Sequence, residues 1–143
     1  MNKTLKKGGL INPILLYEIT QLGHKDVFVI ADAGLPIPVE VDRIDLALVP
    51  GIPKFLDVLE AILKEIVVEK AIIAEETKRV SPHVYESIVE LLEKYQSLDI
   101  EKQLVMVPHE EFKQKYVSNA RFVVRTGEFT PYANIALVSG VPF

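Results

Sequence analysis

The sequence has 143 residues, of which 49% are hydrophobic and 25% charged, with a formal net charge of -4 and no cysteine. That length supplies a core for one domain and is short for two, so residues 1–143 read as a single domain. The balance excludes a disordered chain and a strongly basic nucleic-acid binder; the absence of cysteine excludes disulfides and thiolate metal sites.

No apolar run reaches the roughly 18 residues needed to span a bilayer, and no signal-peptide pattern opens the chain. A location in the cytoplasm is expected, which the lack of cysteine fits. The basic cluster Lys3, Lys6 and Lys7 reads as a solvated end.

In chain order, Asn12 and Pro13 read as the N-cap and first position of a helix, with an apolar stripe at Leu15, Ile19 and Leu22 ended by Gly23. His24 follows that helix. Val27 to Ala31 is a mostly β-branched run without polar alternation, suited to a strand buried on both faces of a largely parallel sheet. Asp32 leaves its far end, where open α/β sheets keep their ligands. Gly34, Pro36 and Pro38 stop the strand there.

Ile44 to Val49 reads as a second strand, stopped by Pro50-Gly51-Ile52-Pro53. A helix follows, with Phe55, Val58, Leu59, Ile62 and Ile66 on one face. Lys70 to Ala74 is a third strand, and Glu75 to Arg79 a solvated polar loop leaving it. Ser81-Pro82 repeats the capping pattern before a helix with Val84, Ile88, Leu91 and Tyr95 on its stripe. His83 lies in its first turn and reads as an exposed side chain.

Leu104 to Val107 is a fourth strand, followed by a loop and short helix in which His109 and Lys113 are i, i+4 neighbours. Phe122 to Val124 and Ile135 to Val138 are two late strands joined by residues 125–134. The alternation of strands and helices predicts a three-layer α/β/α domain with a mostly parallel central sheet.

No G-x-G-x-x-G, Walker A or G-x-S-x-G pattern occurs, so phosphate cradling and acyl transfer lack their residues. The three histidines stand far apart, and no metal site is expected. What remains is His24, Asp32, His109, Lys113, Tyr132 and Asn134, a polar set suited to the paired donors and acceptors of a small polyhydroxylated ligand. Taken singly, the residues read otherwise too. A histidine just past a helix C-terminus is favoured by the helix dipole whether or not it does chemistry, and residues such as Tyr132 and Asn134 are more often a turn anchor and a turn residue than ligands.

Gly23-His24-Lys25-Asp26-Val27-Phe28-Val29-Ile30-Ala31-Asp32-Ala33-Gly34-Leu35-Pro36-Ile37-Pro38 resembles the first signature of the sugar-mutarotase family that contains ribose pyranase and fucose mutarotase. Arg125-Thr126-Gly127-Glu128-Phe129-Thr130-Pro131-Tyr132-Ala133-Asn134 resembles the second, in its ribose branch, and Pro108-His109-Glu110-Glu111-Phe112-Lys113 a weaker one between. The resemblance covers nearly the whole chain. It implies that His24 is the catalytic acid/base and that Asp32, His109, Tyr132, Ala133 and Asn134 contact the sugar; Lys113 reads as a weaker candidate standing behind them. It also implies a ring-shaped homo-oligomer, a decamer of two pentamers, with sites between neighbours. Departures are confined to a longer stretch at residues 95–103, a few extra N-terminal residues, and Thr77, where the family tends to have an apolar residue.

The reaction so implied is the interconversion of the pyranose and furanose forms of D-ribose. A proton leaves the anomeric hydroxyl as another reaches the ring oxygen, the hemiacetal opens to the aldehyde, and a different hydroxyl closes the ring. No redox step or group transfer occurs, so no cofactor is expected. An imidazole, with a free pKa of about 6.5, gives and takes protons near neutrality. Asp32 would accept sugar hydroxyls and orient His24 where the fold brings the two together. Mutarotation of L-fucose on the same scaffold, and a non-catalytic sugar-binding module, are the rival expectations.

Overall fold

The computed structural model describes residues 5–143, so Lys3 lies outside the described residues; Lys6 lies 3.7 Å from Glu65 Oε1. Helix α1, Pro13–Thr20, starts where the sequence places it: the Asn12 side chain accepts the Leu15 N–H at 2.9 Å. Such a cap contributes about 1 kcal/mol. The helix stops at Thr20, and a turn at residues 23–26, closed by the Gly23 N–H donating to Asp26 Oδ2 at 2.8 Å, carries His24 into β1, Val27–Ala31.

Among the described residues six strands form one sheet in the order β2-β5-β1-β6-β3-β4, where β2 is Asp42–Asp45, β3 Val68–Ala74, β4 Leu104–Val107, β5 Phe122–Arg125 and β6 Ile135–Ser139. The pairs β2-β5, β5-β1 and β3-β4 are parallel, while β6 runs antiparallel to β1 and β3. The sheet is thus mostly parallel with one reversed strand. The cause is the short connection: a parallel return from β5 needs a crossover of a dozen or more residues, usually a helix, whereas residues 126–134 come straight back from the same edge of the sheet. That connection therefore stays at the carboxyl ends of β1 and β5.

Apolar side chains cover both faces. Phe28 and Ile30 of β1 pack with Phe122, Leu137, α1, α2 (Phe55–Leu63) and α4 (Pro82–Tyr95). Val29 and Ala31 pack on the other side with Val123, Ala136, Phe112 and Val117. The Phe28 and Phe122 rings stack at 4.9 Å. This two-sided burial explains the unbroken apolar run, each large side chain contributing roughly 1.5–3 kcal/mol.

Several expectations need correction. The second strand is Asp42–Asp45, not Ile44 to Val49: Ile44 pairs with Val124, and Asp45 Oδ1 then accepts the Ala47 N–H and turns the chain away. Glu75 to Arg79 is not a loop but most of helix α3, Glu75–Val80, whose acidic first turn and basic last turn suit the helix dipole. Ser81 does not cap α4 through its side chain, because its hydroxyl donates to the Pro131 carbonyl instead. A short helix α5, Ile100–Gln103, was not anticipated. Helix α6, His109–Glu111, widens into a π-helical turn over Phe112–Val117.

Candidate functional site

At the carboxyl ends of β1, β4 and β5 the chain encloses a cavity of about 520 Å³, open to solvent, whose lining includes Asp32, Leu35, His109, Glu128, Phe129 and Tyr132. Each polar group is delivered by a strand end. Asp32 is the first residue beyond β1, where the strand can no longer pair. Its side chain accepts the Gly34 N–H at 3.0 Å, the tight turn that the downstream glycine and prolines predict.

Asn134 sits beside Asp32 at the start of β6 and is 1% exposed. Its Oδ1 accepts the Asp32 N–H at 2.8 Å and its Nδ2 donates to Asp32 Oδ2 at 3.2 Å. Burial pushes the Asp32 carboxyl above the ordinary aspartate value; the Gly34, Asn134 and Leu35 hydrogen bonds and the His109 charge pull the other way without cancelling it. A carboxylate held partly out of water accepts a hydroxyl strongly.

His109 opens α6, and its ring meets the Tyr132 ring edge-on at 5.0 Å between centroids. Its Nδ1 is buried and has no hydrogen-bond partner among the described residues. Tyr132 has φ +62°, in the left-handed region that a bulky residue adopts only under constraint. Ala133 behind it is fully buried.

Asp32, His109 and Tyr132 thus share one cavity, with Ala133 and Asn134 directly beneath. Lys113 does not line it: Lys113 Nζ pairs with Glu110 at 2.9 Å beside a smaller cleft under Pro36 to Pro38. His24 stands at the opposite end of β1, whose five residues alone put roughly 16 Å between the two ends. Within one chain Asp32 therefore does not orient His24. The partner of His24 is Glu69 on β3, at 3.2 Å from Nε2 to Oε1; His24 and Lys25 together hold the Glu69 carboxyl below its ordinary value.

The frame of the cavity includes residues that sequence reasoning did not single out. Arg125 Nε donates to the Ala33 carbonyl at 3.0 Å while its Nη1 reaches both Asp45 oxygens at 3.1 Å. The Thr126 hydroxyl donates to the Ala31 carbonyl at 2.7 Å. Gly127 donates to the Pro53 carbonyl, and a Cβ there would overlap the Ile52 backbone. Glu128 accepts the Phe55 N–H at 3.1 Å, at the start of α2, and the Thr130 hydroxyl at 2.8 Å. Partial burial is the largest single influence on Glu128 and raises its pKa, yet the Thr130 and Phe55 hydrogen bonds and nearby Lys54 together hold the carboxyl below its ordinary value. The only available signal was position, a charged or hydroxyl residue in the loop beyond a strand.

No helix among the described residues is long and apolar enough to cross a membrane, and no group of three or more His, Asp or Glu side chains there gathers as a metal-holding cluster.

Residues 5–142 match the RbsD / FucU transport protein family. A D-ribose pyranase of Geobacillus thermodenitrificans is 52% identical over 97% of this chain and 99% of its own length, and one of Proteus mirabilis is 49% identical over 97% and 100%. Among solved structures, Bacillus subtilis RbsD complexed with D-ribose is 42% identical, with a TM-score of 0.86 over 96% of this chain and 99% of its own. Fucose mutarotase from Streptococcus pneumoniae, in complex with L-fucose, is 25% identical, with a TM-score of 0.78 over 93% of this chain and 95% of its own.

Proposed function

Because the chain belongs to the RbsD / FucU family, we propose that it catalyses the D-ribose pyranase reaction, an isomerisation that interconverts the pyranose and furanose forms of D-ribose. The observation that carries this reading is the meeting of Asp32, His109 and Tyr132 in one open cavity at the carboxyl ends of the strands. A carboxylate, an imidazole and a phenol offer acceptors and donors to several hydroxyls of one small ring.

In this reading Asp32 and His109 bind sugar hydroxyls, Tyr132 forms a wall, and the Ala133-Asn134 backbone and amide hold that wall and Asp32 in place. Lys113 stands outside this shell. His24 is the acid/base that moves the proton between the anomeric hydroxyl and the ring oxygen, a kind of assistance worth about 10²- to 10⁴-fold. Since His24 lies at the far end of β1, it serves the cavity of a neighbouring copy. Three features support that arrangement: the cavity is open to solvent, Phe129 at its rim is 68% exposed, and Leu48 and Ile52 on the adjoining loop are exposed as well.

The assembly we propose is a decamer of two pentamers, each chain a single sugar-mutarotase domain spanning residues 1–143, working in the cytoplasm. The chemistry asks for no cofactor. Saturation-transfer NMR of D-ribose with the purified protein tests the function: transfer between pyranose and furanose signals is expected. Ribose binding without transfer would reduce the protein to a sugar-binding module, and transfer with L-fucose alone would move the substrate.

A further inference from the structure

Helix α3 and the residue after it hold two walls of the cavity without lining it. On one side, the Glu76 carboxylate accepts the His109 N–H, at 3.1 and 3.3 Å to its two oxygens. His109 opens a short helix whose own N-cap residue, Pro108, supplies no side-chain cap. Glu76 fills that place from another element.

On the other side, the Thr77 hydroxyl donates to the Tyr132 carbonyl at 2.8 Å and the Ser81 hydroxyl to the Pro131 carbonyl at 2.7 Å. Thr77 and Ser81 are both buried, so neither hydroxyl can exchange its partner for water. The two carbonyls they hold belong to the peptides on either side of Tyr132, the residue with φ +62°. A backbone in that region persists only where its surroundings over-determine it. Six residues of chain, 76 to 81, therefore fix both His109 and Tyr132, whose rings meet edge-on at 5.0 Å.

We propose that Glu76, Thr77 and Ser81 are positioning residues that set the spacing of His109 and Tyr132 and so the fit of the sugar. This rests on the sugar-site reading above. Loosening either wall weakens ribose binding, while His24, brought to the cavity by a neighbouring copy and paired there with its own Glu69, is held by neither wall and keeps its proton transfer. The signature is a rise in KM at nearly constant kcat. Loss of folded protein alone has the opposite signature, a fall in apparent kcat at constant KM.

The test measures ribose exchange by saturation-transfer NMR across ribose concentrations, with native mass spectrometry to verify assembly. Thr77→Val with Ser81→Ala is expected to raise KM about tenfold with kcat within about twofold, and Glu76→Ala to do the same from the His109 side. The conservative Thr77→Ser keeps the donor and is expected to recover most of the Thr77 share. If the double variant fails to assemble, Thr77→Val, Ser81→Ala and Glu76→Ala are read singly. Folded variants with parental KM overturn the proposal. A parent that neither binds nor exchanges ribose instead overturns the sugar-site reading, before any variant is compared.

Discussion

Asn134 grips Asp32 at two points, its Oδ1 on the Asp32 N–H at 2.8 Å and its Nδ2 on Asp32 Oδ2 at 3.2 Å. One amide thereby pairs the first backbone group beyond β1 and fixes the carboxylate that faces the cavity. Asn134→Ala leaves the N–H without its partner and the carboxylate free to rotate. We expect a stability loss of about 2 kcal/mol by urea denaturation, together with weaker ribose binding by calorimetry. Parental values in both would show that the grip is incidental.

Asp32 also makes a pH prediction. Its carboxyl titrates above the ordinary value in the folded chain, so its contribution to stability is fully present below the unfolded value and is lost as pH rises through the folded one. Asp32→Asn removes that titration. The stability of the variant relative to the parent should therefore increase as pH rises through the window above the ordinary aspartate range. Urea midpoints measured at a series of pH values would show it, and a gap constant with pH would contradict the partly desolvated carboxylate.

Glu128 should behave in the opposite sense. Its depressed carboxyl contributes stability above its unfolded value, and that contribution is lost as pH falls through the folded one. Glu128→Ala takes away the acceptor of the Phe55 N–H and of Thr130, and should cost about 1–2 kcal/mol at neutral pH. The difference from the parent should shrink in acid. A difference that grows in acid would show that burial, not these hydrogen bonds, governs Glu128.

The parts of the fold legible in the sequence are those decided by local chemistry. Asn12-Pro13 announces α1, and Val27 to Ala31 announces β1, because caps and two-sided burial leave their mark on neighbouring residues. Asp32 was legible as a group beyond a strand end. The reversed direction of β6 was not, since it follows from the shortness of a connection whose partners are distant in sequence. Nor was α3, where five polar residues look solvated until Thr77 is seen buried against Tyr132. Ser81 misled for a related reason: a hydroxyl before proline reads as a cap, and only the tertiary fold offers it the Pro131 carbonyl.

Gly127 joins the loop over the cavity to the turn at Ile52 and Pro53, with backbone packed against the position a Cβ would occupy. Since backbone cannot rotate aside, Gly127→Ala should displace the whole loop and cost about 1–3 kcal/mol, with a larger effect on ribose binding than on the unfolding of the sheet. Thermal unfolding and calorimetry of the same variant separate the two. Unchanged binding would mean that the loop from Gly127 to Tyr132 does not shape the site.

His24 and Asp32 at opposite ends of β1 lead to the last prediction. If each working site combines the Asp32 cavity of one chain with His24 of its neighbour, His24→Ala and Asp32→Asn are each inactive alone but complement one another. In rings reassembled from equal amounts of the two, a site is intact when the cavity comes from a His24→Ala chain and the histidine from an Asp32→Asn chain. Random placement makes each condition true half the time, so about a quarter of the parental exchange should return. A site built within a single chain returns none, because every chain then carries a lesion. Native mass spectrometry verifies that mixed rings form; mixed rings with no exchange would rule out the shared site.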